Sequence, residues 1–369
     1  MYCNILCPTR EDALAVPRGD IALTFCRSCG YIFNAAFDPD LMRYDQRYEN
    51  SLHCSVHFQQ YATALAERLL RQYDLHGKTI IEIGCGQGDF LRLLCQLGNN
   101  RGIGFDPAYQ RDAPDGAPLP GDVTIVRDYY SDRYAHYRAD FVCCRHTLEH
   151  VPDPTGFVSM VRRAIADQWE TVVFFEVPNA LHTLRELAVW DLIYEHCSYF
   201  TGATLARLFC ENGFQVSLVA ETFEGQFLTL DATPARLRGR EPCGRPGEVE
   251  EIERIVRSFP RRYAGKVASW SRILERIDAT GARAVVWGAG SKGVSFLNAL
   301  PASRLIEYVV DINPRKQGMH VVGTGHEIVP PEFLARYRPD LVVVMNPVYV
   351  REIGQMLEEL GVTAELVYG

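Results

Sequence analysis

Three glycines at alternate positions, Gly84, Gly86 and Gly88, follow directly on the apolar run Thr79 to Ile83. A run of that kind suits a buried parallel strand, and the glycines let the backbone turn tightly and bring its N–H groups against a ligand with no Cβ in the way. A helix-like stretch comes next, then a second apolar run, Gly102 to Asp106, that ends in an acid eighteen residues beyond Gly88. At that strand tip a carboxylate can accept both hydroxyls of a ribose in the crevice at the carboxyl ends of the strands. Strand, glycine loop, helix, strand and acid in this order demand a Rossmann-like α/β sheet around a nucleotide-type site.

A dinucleotide loop reads G-x-G-x-x-G, whereas this one is G-x-G-x-G preceded by Glu82. A cofactor without a pyrophosphate has less need of a helix N-terminus packed tightly against the strand. The loop therefore favours S-adenosylmethionine over NAD. Glu82, Gly84, Gly86, Gly88 and Asp106 are its expected binding residues, with Asp128, just past the run Val123 to Arg127, beside them. The loop resembles the first motif of the class I S-adenosylmethionine-dependent methyltransferases, an acidic residue followed by G-x-G-x-G.

The 369 residues exceed one ordinary domain, and 47% apolar residues support two or three real cores. No apolar run approaches the ~20 residues that span a bilayer. Met1 opens onto polar sequence and cysteines instead of a signal peptide, so a cytoplasmic protein is expected. A net charge of −8 with acids and bases interspersed offers no basic stripe for a phosphate backbone, which argues against nucleic acid as a partner. Of the twelve cysteines, Cys85, Cys95, Cys143, Cys144 and Cys210 fall inside apolar strand or helix patterns, where a free thiol packs as a small hydrophobe.

Residues 1–37 read as a separate zinc ribbon. Cys26-Arg-Ser-Cys29-Gly is a knuckle that sets two thiolates on one ion, and Cys3 and Cys7, at the less usual C-x3-C spacing, are the candidate second pair. The alternative is a frayed terminus with one leftover pair. Residues 38–230 carry the methyltransferase-like core, with a helix from Ser55 to Tyr73, strands at Gly102 to Asp106, Val123 to Arg127, Phe141 to Cys144 and Thr171 to Glu176, and a helix from Phe157 to Ile165. Residues 231–280 form a connection rich in Arg, Pro and Gly, followed by a long amphipathic helix, Glu248 to Ile277, with a break expected at Pro260. Residues 281–369 open a second Rossmann-like α/β domain: the strand Ala284 to Trp287, then Gly288-Ala-Gly290-Ser-Lys292-Gly293, a full G-x-G-x-x-G, with Asp311 ending the next apolar run. This second loop serves either a nucleotide or nucleotide-sugar handle, through Gly288, Gly290, Lys292, Gly293 and Asp311, or a purely structural turn.

Two segments carry candidate chemistry. Arg145-His146-Thr-Leu-Glu-His150 follows a core strand whose end points into the crevice, so His146 can meet the cofactor's methionine part or the acceptor. Packing and helix capping are the alternative for both histidines, above all His150. Tyr194-Glu195-His196 lies after the last core strand among Trp190, Tyr199 and Phe200, and can supply a general base tuned by burial. Adjacent residues in extended chain face opposite ways, so at most two of the three address one substrate.

The order of cysteine pairs, methyltransferase core, E-H-x-S-Y-F segment and appended glycine-loop domain resembles the zinc-containing sugar C-methyltransferases of deoxysugar biosynthesis. The resemblance implies a nucleoside-diphosphate 4-keto sugar as acceptor, a terminal domain that helps bind its nucleotide, and catalysis by the Tyr, Glu and His of the E-H segment. Glu195 and His196 match the E-H pair, and Ser198-Tyr199-Phe200 match S-Y-F. The tyrosine stands directly before the glutamate instead of two residues ahead, and Glu224-Gly225-Gln226-Phe227-Leu228 replaces the family's Gly-Gly-Ser-Leu-Arg. In this reading His196, charged or oriented by Glu195, removes an α-proton and the enolate takes the methyl group. Other outcomes are N- or O-methylation of a related metabolite, or an NAD-dependent oxidoreductase that uses the second loop. A monomer or dimer without membrane partners is expected.

Overall fold

The computed structural model describes residues 3–42, 47–110, 122–236 and 247–369. It opens with a short helix α1 (Arg10–Ala15) and a hairpin of β1 (Leu23–Phe25) and β2 (Ile32–Asn34). Helix α2 (Val56–Tyr73) leads to β3 (Thr79–Ile83), the glycine loop and α3 (Asp89–Gly98). Then come β4 (Arg101–Phe105), β5 (Val123–Val126), β6 (Phe141–Arg145), α4 (Pro154–Ile165) and β7 (Val172–Pro178). After α5 (Ala180–Arg185), β8 (Ser198–Tyr199) pairs with β2, and α6 (Gly202–Glu211) leads to an antiparallel pair, β9 (Phe214–Thr222) and β10 (Phe227–Pro234).

The core sheet runs β5-β4-β3-β6-β7-β10-β9, parallel through β7 and antiparallel beyond it. Alternate side chains of the buried strands face opposite ways. Ile81, Ile83, Val142 and Val173 therefore pack on one face, and Ile80, Phe141, Cys143 and Phe174 on the other. The order reverses at β3, between β4 and β6, which opens the ligand crevice above the glycine loop. The antiparallel pair is not among the expected strands, and β10 carries the core to Pro234, past the expected boundary at 230.

The second domain begins with α7 (Glu248–Ala279), which runs unbroken through Pro260. Pro260 lies on the exposed face of the helix, and the expected break does not occur. There follow β11 (Ala284–Trp287), α8 (Ser291–Ala299), β12 (Tyr308–Val310), β13 (Glu327–Val329), α9 (Leu334–Tyr337), β14 (Leu341–Val344), α10 (Val350–Glu359) and β15 (Glu365–Tyr368). The sheet is wholly parallel in the order β13-β12-β11-β14-β15 and reverses at β11, beneath the second glycine loop. No helix among the described residues is long and apolar enough to cross a membrane.

The four-thiolate zinc site expected from Cys3, Cys7, Cys26 and Cys29 does not close. Cys26 and Cys29 sit together on their knuckle, where the backbone N–H groups of Cys29 and Ser28 lower the Cys26 thiol. Cys3 and Cys7 instead pack into the apolar cluster of the second domain with Val321 and Val322, and the Cys7 carbonyl accepts from His320 N at 2.9 Å. A tetrahedral ion needs all its sulfurs within about 4 Å of each other. Among the described residues the four cysteines form no such group. The small thiols were worth more as core volume than as ligands.

Polar contacts lock the domains together. Glu352 of α10 accepts from Ser55 Oγ at 2.6 Å and from Val56 N at 3.0 Å, so it caps the N-terminus of α2 from the other domain. Glu49 accepts from Asn313 Nδ2 at 3.1 Å and pairs with Arg315, which reaches Gln110 at 2.7 Å. Glu352→Ala removes the acceptor for the first turn of α2, and a loss of ~1–2 kcal/mol in chemical denaturation is expected. An unchanged urea midpoint would show that the cap carries no stability.

Candidate active site

Both glycine loops face a single cavity of about 830 Å³. On the cofactor side, Gly84 has a left-handed φ of 69°, and a Cβ there would fall 2.0 Å from Thr147 Oγ1. Asp106 holds the loop as well as facing the cavity. Its Oδ2 accepts from Gly86 N at 2.8 Å and its Oδ1 from Ala108 N at 2.8 Å, which leaves further lone pairs for a ribose. Glu82 is buried under the loop, and burial pushes its carboxyl up to about 8. Asp128 borders the cavity at its rim, bonded to Tyr134 Oη at 2.6 Å and paired with Arg133.

The second loop repeats the clamp. Asp311 Oδ2 accepts from Ala289 N and Oδ1 from Asn313 N, both at 2.8 Å. Gly293 packs so closely that a Cβ would meet the Gly288 carbonyl at 1.9 Å. Lys292 spans the domains, 2.9 Å from Gln226 Oε1 and 3.2 Å from Asp191. Gln226 and Asn346 exchange two amide hydrogen bonds at 2.9 and 3.0 Å. Lys316 is buried at the same loop, bonded to the Ala289 carbonyl at 3.3 Å.

Between the loops stands the polar group supplied by β6, β7 and the segment before β8. Burial alone would raise the Glu176 carboxyl. Arg145, at 3.1 and 2.8 Å from Oε1, together with His146 and the Tyr61 hydroxyl, instead holds it at about 2. His146, at a left-handed φ of 49°, lies with Nε2 2.8 Å from Glu176 and its ring edge-on to Phe227. His150 donates through Nδ1 to the Glu195 carbonyl, 3.0 Å away, and burial lowers it to about 4. His196 packs edge-to-face on His150 and borders the cavity. Burial, then the neighbouring His150 and His146, keep its imidazole well below the usual histidine range.

The expected triplet is split. Tyr194 stacks on Phe37 and accepts from Asp38 N at 2.8 Å, outside the cavity lining. Glu195 is fully buried away from the cavity and accepts from Cys3 N, so its carboxylate neither faces the acceptor space nor charges His196. The chain turns here, and of the three only His196 enters the cavity. Glu149, Arg145, Glu176, Tyr61, Gln226 and Lys316 were not singled out for chemistry in the sequence. For Glu176 a signal existed: an acid inside the apolar run of a central strand.

Residues 56–219 match a methyltransferase-domain family, and residues 249–365 match the C-methyltransferase C-terminal domain. The C-methyltransferase NovU of Streptomyces niveus is 27% identical over 361 residues, spanning 93% of this chain and 84% of that protein. A ubiquinone biosynthesis O-methyltransferase of Proteus mirabilis (strain HI4320) is 33% identical over 133 residues, 34% of this chain and 50% of that protein. Among solved structures, the magnesium protoporphyrin IX methyltransferase of Synechocystis PCC 6803 is 18% identical, with a TM-score of 0.38, over 49% of this chain and 84% of that one. The two family matches divide the chain where the fold divides it, one on each sheet: the chain carries a class I S-adenosylmethionine-dependent methyltransferase domain followed by a C-methyltransferase C-terminal domain.

Proposed function

We propose that the enzyme moves the methyl group of S-adenosylmethionine to a carbon beside the carbonyl of a nucleotide-linked keto sugar. The observation that carries this reading is the single cavity shared by a cofactor loop and a second, nucleotide-type loop. The first loop would hold the adenosyl ribose through Asp106. The second, with Lys292, Gly288, Gly290, Gly293 and Asp311, would take the acceptor's nucleotide. The relative named a C-methyltransferase aligns with both domains, whereas the O-methyltransferase relative aligns over only a third of this chain and half of its own length. That contrast favours carbon over oxygen as the methylated atom.

His196 is the base in this scheme. Burial, then His150 and His146, keep its imidazole neutral, so one ring nitrogen carries a lone pair. It removes the α-proton, and alignment of the resulting enolate with the sulfonium methyl supplies much of the rate. No metal takes part in this step as written. Incubation with labelled S-adenosylmethionine and a panel of nucleoside-diphosphate 4-keto sugars tests the acceptor. Label that stays out of every sugar carbon would sink the reading.

Asp106→Ala should weaken S-adenosylmethionine binding by ~1.5–3 kcal/mol, the scale of hydrogen bonds to a charged group, and part of that loss comes from releasing the loop clamp. Calorimetry showing unchanged affinity would remove Asp106 from the cofactor site.

His196→Asn should leave cofactor binding nearly intact and cut turnover by ~10²–10⁴, the usual worth of a positioned base. The base works as neutral imidazole, and its folded pKa is lowered. The reactive form therefore persists at neutral pH, and turnover falls only when the pH drops below the ordinary histidine value of about 6.5. A turnover profile that already declines above that value would assign the base elsewhere, with His146 next in line.

A further inference from the structure

The cavity holds one buried acid to which the scheme above gives no work. Glu149 is 1% exposed and borders the cavity, and neither of its carboxyl oxygens has a hydrogen-bond partner among the described residues. Nδ1 of His146 stands 3.8 Å from Oε1, beyond hydrogen-bond reach. One polar atom each of Glu149, His150 and His196 lies within 4.8 Å of the other two. His150 meets the Glu195 carbonyl through Nδ1, which must donate there, so in its neutral ring Nε2 carries the lone pair. A carbonyl brought to His196 for proton abstraction needs a donor for the oxygen on which charge collects, and a protonated Glu149 carboxyl in this cluster can supply one.

We propose that Glu149 is the neutral acid of the reaction, donating its O–H to the acceptor oxygen as His196 takes the α-proton. The inference rests on the carbonyl acceptor proposed above. The C–H electron pair becomes the enolate double bond, and the carbonyl pair moves onto the oxygen held by Glu149. The double bond then attacks the sulfonium methyl, the carbonyl reforms, and the C–S pair stays on sulfur. Glu149 keeps its proton throughout, and His196 later releases the one it took to solvent.

The surroundings suit a carboxyl that stays neutral. Burial comes first, and it puts the group at about 8, with the Glu176 charge adding to the rise. Tyr48 and Cys144 face it with groups that burial keeps protonated, as does Cys197 from the segment before α6. His146, His150 and His196 lie around it, and Arg145 on the neighbouring strand end is committed to Glu176. Because the folded value is raised, the active acid is full at neutral pH and is lost as the pH rises through about 8.

The test compares Glu149→Gln, which keeps an N–H donor but cannot titrate, with Glu149→Ala, which keeps none. With a nucleoside-diphosphate 4-keto sugar as acceptor, Glu149→Ala should lower turnover by ~10²–10³, the cost of a lost oxyanion donor, at unchanged S-adenosylmethionine affinity. Glu149→Gln should lose less than about tenfold and lack the alkaline limb near pH 8 seen in the native enzyme. Infrared spectra at neutral pH should show a protonated carboxyl band in the native protein that Glu149→Gln removes. Near-native turnover in Glu149→Ala, an alkaline limb that survives in Glu149→Gln, or a missing carboxyl band would each overturn the inference. So would a stoichiometric divalent ion that Glu149→Gln releases. If the native enzyme methylates no keto sugar, the acceptor reading falls, and the infrared band alone decides whether Glu149 is neutral.

Discussion

Two carboxylates, each accepting a pair of backbone N–H bonds, hold the working surfaces of this molecule in place. Asp106 ties Gly86 and Ala108, and Asp311 ties Ala289 and Asn313, with all four distances 2.8 Å. In each case the acid ends the strand beside the one that feeds the loop, so the clamp joins loop and neighbouring strand where the sheet order reverses. A glycine loop left to itself would sample many conformations, because glycine has the most backbone freedom to lose. A charge-assisted bond to its N–H groups selects one. The second sheet thus repeats the first in geometry as well as in order, and the cavity between them is lined by two loops already shaped to receive ligands.

The cavity also separates two glutamates that sequence alone would treat alike. Glu176 sits against Arg145, His146 and Tyr61 and stays ionised, while Glu149 has no cation as a partner among the described residues. Burial acts on both in the same direction, so the partner decides the protonation state. The ionised member orients His146, and the other is left as a potential donor beside His150 and His196. One small region can therefore present a fixed anion, a basic nitrogen and a neutral acid at the same pH.

Much of this was legible because it rests on local chemistry. The strand-loop-acid order fixed the places of Gly84, Gly86, Gly88 and Asp106, and the same grammar found Gly288, Gly290, Gly293 and Asp311. The edge pair β9 and β10 was harder to read, since β9 is half exposed along its length and shows no clean alternation. The fates of Tyr194 and Glu195 depend on a turn that directs one toward Phe37 and the other toward Cys3, contacts more than 150 residues away in sequence. The cysteines failed as a zinc set for a related reason. Spacing brings Cys26 and Cys29 together, but whether Cys3 and Cys7 join them is decided by the apolar surface of a domain almost 300 residues further on. His196 does border the cavity, and its neighbour in space, His150, comes from the strand-end segment that points at the crevice.

In the proposed reaction, the appended domain is what would let such a cavity run carbanion chemistry beside a reactive sulfonium. An enolate in bulk water is reprotonated before it can be methylated, so the acceptor has to be shielded and aligned before the α-proton leaves. Gln226 and Asn346 close on each other across the domain boundary through two amide bonds, and Lys292 binds to Gln226 from the same side. Glu49, Asn313 and Arg315 close the opposite edge, and Arg315 also reaches Gln110, whose backbone bonds the Gln87 side chain in the cofactor loop at 3.1 Å. The second domain therefore touches the cofactor loop through one intermediate residue. Side chains of the second domain thus brace the wall of the cofactor loop, and a methyltransferase core that lacked this partner would leave that side of its crevice open.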